Sequence, residues 1–348
     1  ISFEEDVLAN SYIDLNPSYD ESQNAYPIRI SVKEGTDMTS LAPIFELTPG
    51  ATISPASGSV QNFTTPVRYT VTSEDKAWHR VYAITAREQK ASNIPTTYHF
   101  EKVRIMQNVW QEFYEEQDSG NELTWASGNK GFKWAMSEAA TEDYPTTQID
   151  NGKTGKCVKL ETRLTGDLGN MVGMPIAAGN LFIGSFDMLN AITNPLSATR
   201  FGTPFYNKPL RLTGYYKYKA GEQFYENGEY TSRKDIFNIY AIFYDGVKYD
   251  SAGKGTDVTL DGNLPNQNYE HSSMVALALV SNPQETEGDE WKFFDIPFDY
   301  QRYGKKIDEA RLAKGEYKIG IIFASSKDGA TFEGAPGSTL LIDEVELI

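Results

Sequence analysis

Cysteine is all but absent. Cys157 is the only one in 348 residues, so no intrachain disulfide can staple the fold and no thiolate cluster can hold a metal. Histidine is nearly as scarce: His79, His99 and His271 are the full set. Neither a His-Glu-x-x-His metal motif nor a Gly-x-Ser-x-Gly nucleophile elbow occurs. Long apolar runs are missing as well. The longest, Met274 to Val280, falls far short of the roughly 20 residues a membrane-spanning helix needs. Basic charge is in deficit, with 32 Lys and Arg against 48 Asp and Glu and a formal net charge of −16. Phosphate binding needs a basic face, so nucleic acid is not an expected partner. Two nucleotide-motif fragments also fall away. Asn151-Gly152-Lys153-Thr154-Gly155-Lys156 has the wrong spacing for a phosphate loop, and Cys157 follows where Ser or Thr belongs. It reads as a polar turn between strands. Gly253-Lys254-Gly255 lacks the third glycine of a dinucleotide fingerprint.

What is present is aromatic and strand-like. Hydrophobic residues make up 40% of the chain, enough for two globular cores, and 21 tyrosines lead the aromatics. In residues 1–90, Ile28, Ile30 and Val32 alternate with polar neighbours, as do Val67, Tyr69 and Val71, then Tyr82 and Ile84. Period-two alternation marks half-buried antiparallel strands. The turn-rich Leu47–Gly58 segment lies between them. This pattern predicts an all-β immunoglobulin-like sandwich with Trp78 in its core, acting as a spacer without chemistry of its own.

Residues 91–97 carry Ser92, Asn93 and Pro95 and read as a linker. Residues 98–348 then predict one larger jelly-roll β-sandwich. Its strand candidates are Val158–Thr162, Leu181–Asp187, Leu210–Lys219, Ile236–Tyr244, Met274–Val280, Trp291–Phe298, Tyr317–Ala324 and Leu340–Leu347. The framing segments Tyr98–Glu101 and Leu340–Leu347 are expected to lie side by side, since domain termini often do. Val109–Glu116 is the one expected helix, with Trp110 packed inward. Cys157 sits in a strand pattern and reads as a buried, inert thiol.

Several of these phrases resemble a known family. Tyr98-His99-Phe100-Glu101, Trp125-Ala126-Ser127-Gly128-Asn129, Val158-Lys159-Leu160-Glu161-Thr162, Leu212–Lys219 and Ile342-Asp343-Glu344-Val345 resemble the putative carbohydrate metabolism domain of exported gut-bacterial proteins. Thr48–Ile53 followed by Val67–Thr72 resembles the immunoglobulin-like modules that precede such domains. The wider likeness is to jelly-roll carbohydrate-binding modules, where an early Phe-Glu and a late Asp-x-Val often hold a structural calcium. Carried over, that implicates Glu101 and Asp343 as metal ligands, with no organic cofactor. The plain alternative is that these carboxylates pair with Lys or Arg or cap strand ends. The resemblance also implies export to the cell surface or periplasm, with the signal sequence absent from this chain and a lipid anchor in the precursor left open.

A glycan site needs aromatic platforms beside polar partners. Alternation turns Tyr215 outward on Leu210–Lys219, and Asn238, Tyr240 and Tyr244 outward on Ile236–Tyr244. If those strands share a sheet, Tyr215, Asn238 and Tyr240 line one concave face. Trp125 and Trp134 would wall its end, with Trp291 a weaker candidate. A glycosidase needs a carboxylate pair, and Glu122, Asp187 and Asp235 lie near that face. The expectation is a non-catalytic glycan-binding protein of polysaccharide capture. The alternatives are a glycoside hydrolase on the same sandwich and a structural or adhesive surface protein.

Overall fold

The computed structural model describes all residues except 10–12, 14–16, 90–91, 118–119 and 121. It separates into two compact units, residues 1–91 with Ile348, and Ser92–Leu347.

In the first unit, β1 (Tyr26–Lys33), β2 (Thr52–Ser54), β3 (Val67–Thr72) and β4 (His79–Gln89) form one sheet in the order β1-β4-β3-β2. β1 runs parallel to β4, while β3 is antiparallel to it. The alternating set Ile28, Ile30 and Val32 points into a core with Leu41, Phe63, Tyr69, Ile84 and Ala86. Trp78 departs from expectation. It sits in the β3–β4 turn, closed by Ser73 N–H to Trp78 O at 3.0 Å, and its ring is 48% exposed. Phe63 and Tyr69 fill the core in its place.

The second unit opens with β5 (Thr97–Tyr98) and a small antiparallel group, β6 (Val103–Met106), β7 (Trp110–Glu116) and β8 (Glu122–Thr124). β7 corrects the expected helix. Trp110, Phe113 and Tyr114 mimic helical spacing, but Gln107 and Asn108 both take positive φ (49° and 57°). Val109 N–H bonds Met106 O at 2.9 Å across them, a primed turn that commits the chain to a hairpin. Trp110 still packs inward, against Tyr144.

Next come α1 (Asn129–Ala135), β9 (Thr146–Asp150), β10 (Lys156–Glu161), α2 (Gly166–Met171), β11 (Asn180–Phe182) and α3 (Met188–Thr193). The chain continues with β12 (Arg211–Lys219), β13 (Asn238–Asp245), β14 (Met274–Leu279), β15 (Lys292–Pro297), β16 (Tyr317–Ala324) and β17 (Thr339–Leu347). One sheet runs β15-β12-β17-β10-β9 and the other β11-β16-β13-β14. The chain passes repeatedly between them, as a jelly roll does.

All eight strand segments expected for this unit are present, with Leu181–Asp187 divided at Ile183. The first and last strands do pair: Tyr98 stands opposite Val345, and Thr97 opposite Glu346. β10 borders β17 at residues 339–342 and β5 takes over beyond. A bulge at Glu344 marks the change of neighbour, where β17 spends three residues against two of β12. Glu344 adopts φ 48°, the left-handed conformation that lets one extra residue fit.

The core between the sheets draws on both, with Val158, Leu160, Leu212, Tyr216, Ile342 and Val345 facing Ile239, Phe243, Ile321 and Phe323. Trp125 belongs to this core and is no platform. It is 1% exposed and packs on Tyr98, Phe100 and Phe323 with ring centroids 5.0, 5.6 and 5.9 Å away. The segment after β8 keeps its alternation, so Leu123 and Trp125 both turn inward. Trp125→Ala is expected to cost about 3–5 kcal/mol in chemical denaturation; a loss below about 1 kcal/mol would return Trp125 to the surface.

Candidate functional site

β13 has no free face. Phe237, just before it, with Ile239, Ala241 and Phe243, enters the core between the sheets. Tyr240, Ile242 and Tyr244 enter a second apolar cluster on the opposite side, with Phe182, Phe201, Leu260, Leu264, Tyr269, Met274, Leu277 and Ile322. The alternation is as expected, but the face turned away from the core is covered. Leu260 and Leu264 from the long segment after β13 lie over it, and Tyr269 follows.

That cover leaves a cavity of about 170 Å³ beside the β11-β16-β13 surface. Its walls include Phe132, Phe182, Phe186, Phe201, Phe332 and Tyr240, with Trp134 also lining it and 39% exposed.

Polar side chains fix the three helices that roof the cavity, Asn129 and Thr165 buried and Asn180 and Asp187 half-buried. Asn129 clamps α1 to β9, donating to Thr146 O at 2.7 Å and accepting from Thr146 N at 3.1 Å. Asn180 Oδ1 accepts from Gly128 N–H at 2.7 Å, holding the start of the same helix. Asp187 caps α3 through the N–H groups of Leu189 and Asn190, at 2.9 and 3.4 Å. The Thr165 hydroxyl bonds Met174 O and closes the α2 loop.

Three of the expected glycan-binding residues, Trp134, Asn238 and Tyr240, meet in this cavity. Asn238 is 5% exposed, its amide engaged with the Tyr269 hydroxyl at 3.0 Å. Tyr240 is 2% exposed, and burial pushes its phenol well above the usual range. Three others do not join them. Trp125 is core. Tyr244 is fully buried, its hydroxyl donating to Phe201 O at 2.6 Å. Tyr215 is on the other sheet, against Phe293 at 5.1 Å with the Lys153 ammonium 4.9 Å over its ring, so the shared concave face does not form. Trp291 is also on that side, under the Lys217 ammonium. Sequence reasoning missed Phe132, Phe186, Phe201 and Phe332. Their only signal was aromatic residues close to glycine and alanine in the sequence.

No Asp or Glu lines the cavity. The three acids expected near it have other work. Glu122 pairs with Arg104 and Asp187 is the α3 cap. Asp235 is 2% exposed and ties the sandwich end together. It accepts from Ser326 Oγ (2.6 Å), Ser338 Oγ (2.7 Å), Ala335 N (2.8 Å) and Ile236 N (2.9 Å). Burial raises its pKa and those donors oppose the rise.

Glu101 and Asp343 both face the β9–β10 loop. Lys156 N–H donates to Glu101 Oε1 at 2.8 Å, and Thr154 N–H to Asp343 Oδ2 at 3.0 Å. Glu344 N–H takes Asp343 Oδ1 at 2.8 Å. The loop glycines make room. A Cβ on Gly155 would stand 2.1 Å from Glu101 Oε1, and one on Gly152 2.6 Å from Asp343 Oδ2. Calcium takes six to eight oxygens at about 2.3–2.6 Å. Among the described residues no group of three or more His, Cys, Asp or Glu converges, and N–H donors already approach three of these four carboxylate oxygens. The pair alone does not form a calcium cage. Burial lifts the Asp343 carboxyl to about 6 and, chiefly, the neighbouring Cys157 thiol to about 12, in keeping with an inert cysteine.

The second unit is a two-sheet sandwich with an aromatic-walled cavity, and a small β-module precedes it in the chain. The profile of the putative carbohydrate metabolism domain matches residues 99–348, and the chain belongs to that family. Residues 14–86 match the profile described as SGBP, N-terminal. Among solved structures, a putative glycoside hydrolase from Bacteroides thetaiotaomicron VPI-5482 is 46% identical, with 93% of this chain and 90% of that one covered at a TM-score of 0.66. A putative glycoside hydrolase from Bacteroides vulgatus ATCC 8482 is 51% identical over 73% of this chain and 98% of that one, at 0.68. No curated protein matches.

The Asp343 shift has a definite sign. A carboxyl whose folded pKa is raised from 3.8 to about 6 contributes stability below pH ~4 and loses it as pH climbs through ~6. The wild type should therefore lose about 1–3 kcal/mol relative to Asp343→Asn between pH 4 and 6.5. A pH-independent difference would contradict the buried-carboxylate account. Excess EDTA should leave the melting temperature unchanged at pH 7; a drop of several degrees would mean that a cation joins these carboxylates.

Proposed function

We propose that this chain is an exported glycan-binding protein of polysaccharide capture that breaks no bond. The observation that carries the reading is the chemistry of the cavity: aromatic walls, Trp134 partly exposed among them, and no carboxylate. Sugar rings stack their C–H faces on exposed rings such as that of Trp134 at the cavity's edge, whereas hydrolysis needs two carboxylates across a sugar-sized gap, about 5–5.5 or 6.5–9.5 Å apart. Membership of a carbohydrate-related family supports the substrate class, and the match of residues 14–86 supports a cell-surface or periplasmic setting. The first unit then serves as a spacer.

Hydrolysis is the second reading, favoured by one observation besides the names of the solved relatives. On the other side of α1, Glu138, Asp143 and Glu161 line a wider cleft with Arg163 and Leu164. Glu161 is held by Lys159 at 3.0 Å and Arg163 at 3.1 Å, with Asp143 3.9 Å from the same guanidinium. Two of the three acids are thus engaged in ion pairs.

A panel of plant and host polysaccharides in native affinity gels, with reducing-end assays on the same mixtures, separates the readings. Binding predicts retarded migration without new reducing ends, and at least tenfold weaker retardation for Trp134→Ala. New reducing ends that vanish in Glu161→Gln would establish hydrolysis instead. Neither signal would point to adhesion through a protein partner.

A further inference from the structure

The cavity is poorly made for a bare sugar. Its polar side chains are mostly spent within the protein. Thr165 bonds Met174 O, Asn180 bonds Gly128 N–H and Ala178 O, Asn238 bonds Tyr269, and Ser326 bonds Asp235. Lys327 reaches the rim with its side chain exposed. Of the polar side chains lining the cavity among the described residues, Thr199 alone has a buried atom, Oγ1, without a partner. A sugar ring entering here would bury several hydroxyls against one free group, and each unpaired hydroxyl carries a penalty.

An aromatic ring meets no such obstacle. A dry cavity of roughly 150 Å³ lined by apolar side chains accepts one benzene, and this one measures about 170 Å³. Phe182 and Phe201 already meet edge to face at 5.3 Å and 82°, and Phe201 and Tyr240 at 6.3 Å and 86°. A further ring can join in the same geometry. The helices of the roof also carry exposed apolar side chains, Leu168 and Met171 on α2 and Leu189 on α3.

Resting on the glycan-binding reading, we propose that the cavity takes an uncharged aryl group carried on the glycan, as an aryl ester or aryl glycoside. The sugar stacks outside on Trp134 while the ring fills the pocket and directs one oxygen to Thr199 Oγ1. Selectivity then lies in the substituent as much as in the sugar.

The test uses the full chain in calorimetric titrations with benzyl alcohol and with matched phenyl and methyl β-glycosides of glucose, galactose and xylose. Benzyl alcohol should bind, and phenyl glycosides should bind at least tenfold tighter than their methyl counterparts. Ala191→Leu, a substitution on α3 that fills the cavity with a good helix former, should bring the ratio near one without lowering the melting temperature. Thr199→Val should weaken benzyl alcohol several-fold. Equal affinities for phenyl and methyl glycosides, no binding of benzyl alcohol, or an aryl preference surviving Ala191→Leu would overturn the proposal. If unsubstituted glycans bind in a Trp134-dependent way while phenyl and methyl glycosides are alike, the aryl proposal falls and glycan binding stands. If the aryl probes bind and no unsubstituted glycan does, the aryl site stands and the glycan-binding reading falls.

Discussion

Everything distinctive about the second unit follows from one strand that must be buried twice. The side chains of β13 supply apolar surface to both faces, so a two-layer sandwich cannot satisfy it. A third layer is required over the β11-β16-β13-β14 sheet, and the chain provides it with long connections. The segment carrying Leu260, Leu264 and Tyr269 covers one part. The short helices α1, α2 and α3 cover another, where packing stops short of native density and leaves the aromatic cavity. The cavity is the incomplete part of a core.

Closure of the sandwich is a separate matter and is electrostatic at its rim. The last strand changes partner from β10 to β5 at the Glu344 bulge, and next to that bulge Asp343 is fully buried. The β9–β10 loop folds its backbone amides onto Asp343 and Glu101, and glycines at 152 and 155 let the loop come that close. His99 Nδ1 adds a hydrogen-bond contact with Glu344 Oε2 at 3.0 Å. The two framing phrases of the sequence are therefore neighbours joined through a third segment, and what joins them is a set of N–H donors.

Much of this architecture was legible in the sequence. The strand patterns located eight segments of the second unit, and period-two alternation gave the correct inward set on β13, because side-chain direction in a strand depends only on parity. Parity does not tell a solvent face from a face under a loop, and so Asn238, Tyr240 and Tyr244 were expected in the open. The Trp110–Glu116 strand was missed because its apolar spacing is ambiguous and the decisive signal, a primed turn at Gln107-Asn108, carries no glycine. Trp78 and Trp125 were interchanged in role, since tryptophan serves turns and cores alike. The phenylalanines of the cavity come from α1, short strands and connections with no shared periodicity, and only the fold brings them together.

The central claim is that ligand recognition takes place under the α1-α2-α3 roof. The most direct measurement is a crystal structure with a glycan retained in native affinity gels. The account predicts ligand density against Trp134 with its apolar part inside the Phe132–Phe186–Phe201–Phe332 cavity. Density confined to the Glu138–Asp143–Glu161 cleft, or to the Tyr215–Phe293 surface of the other sheet, would contradict it.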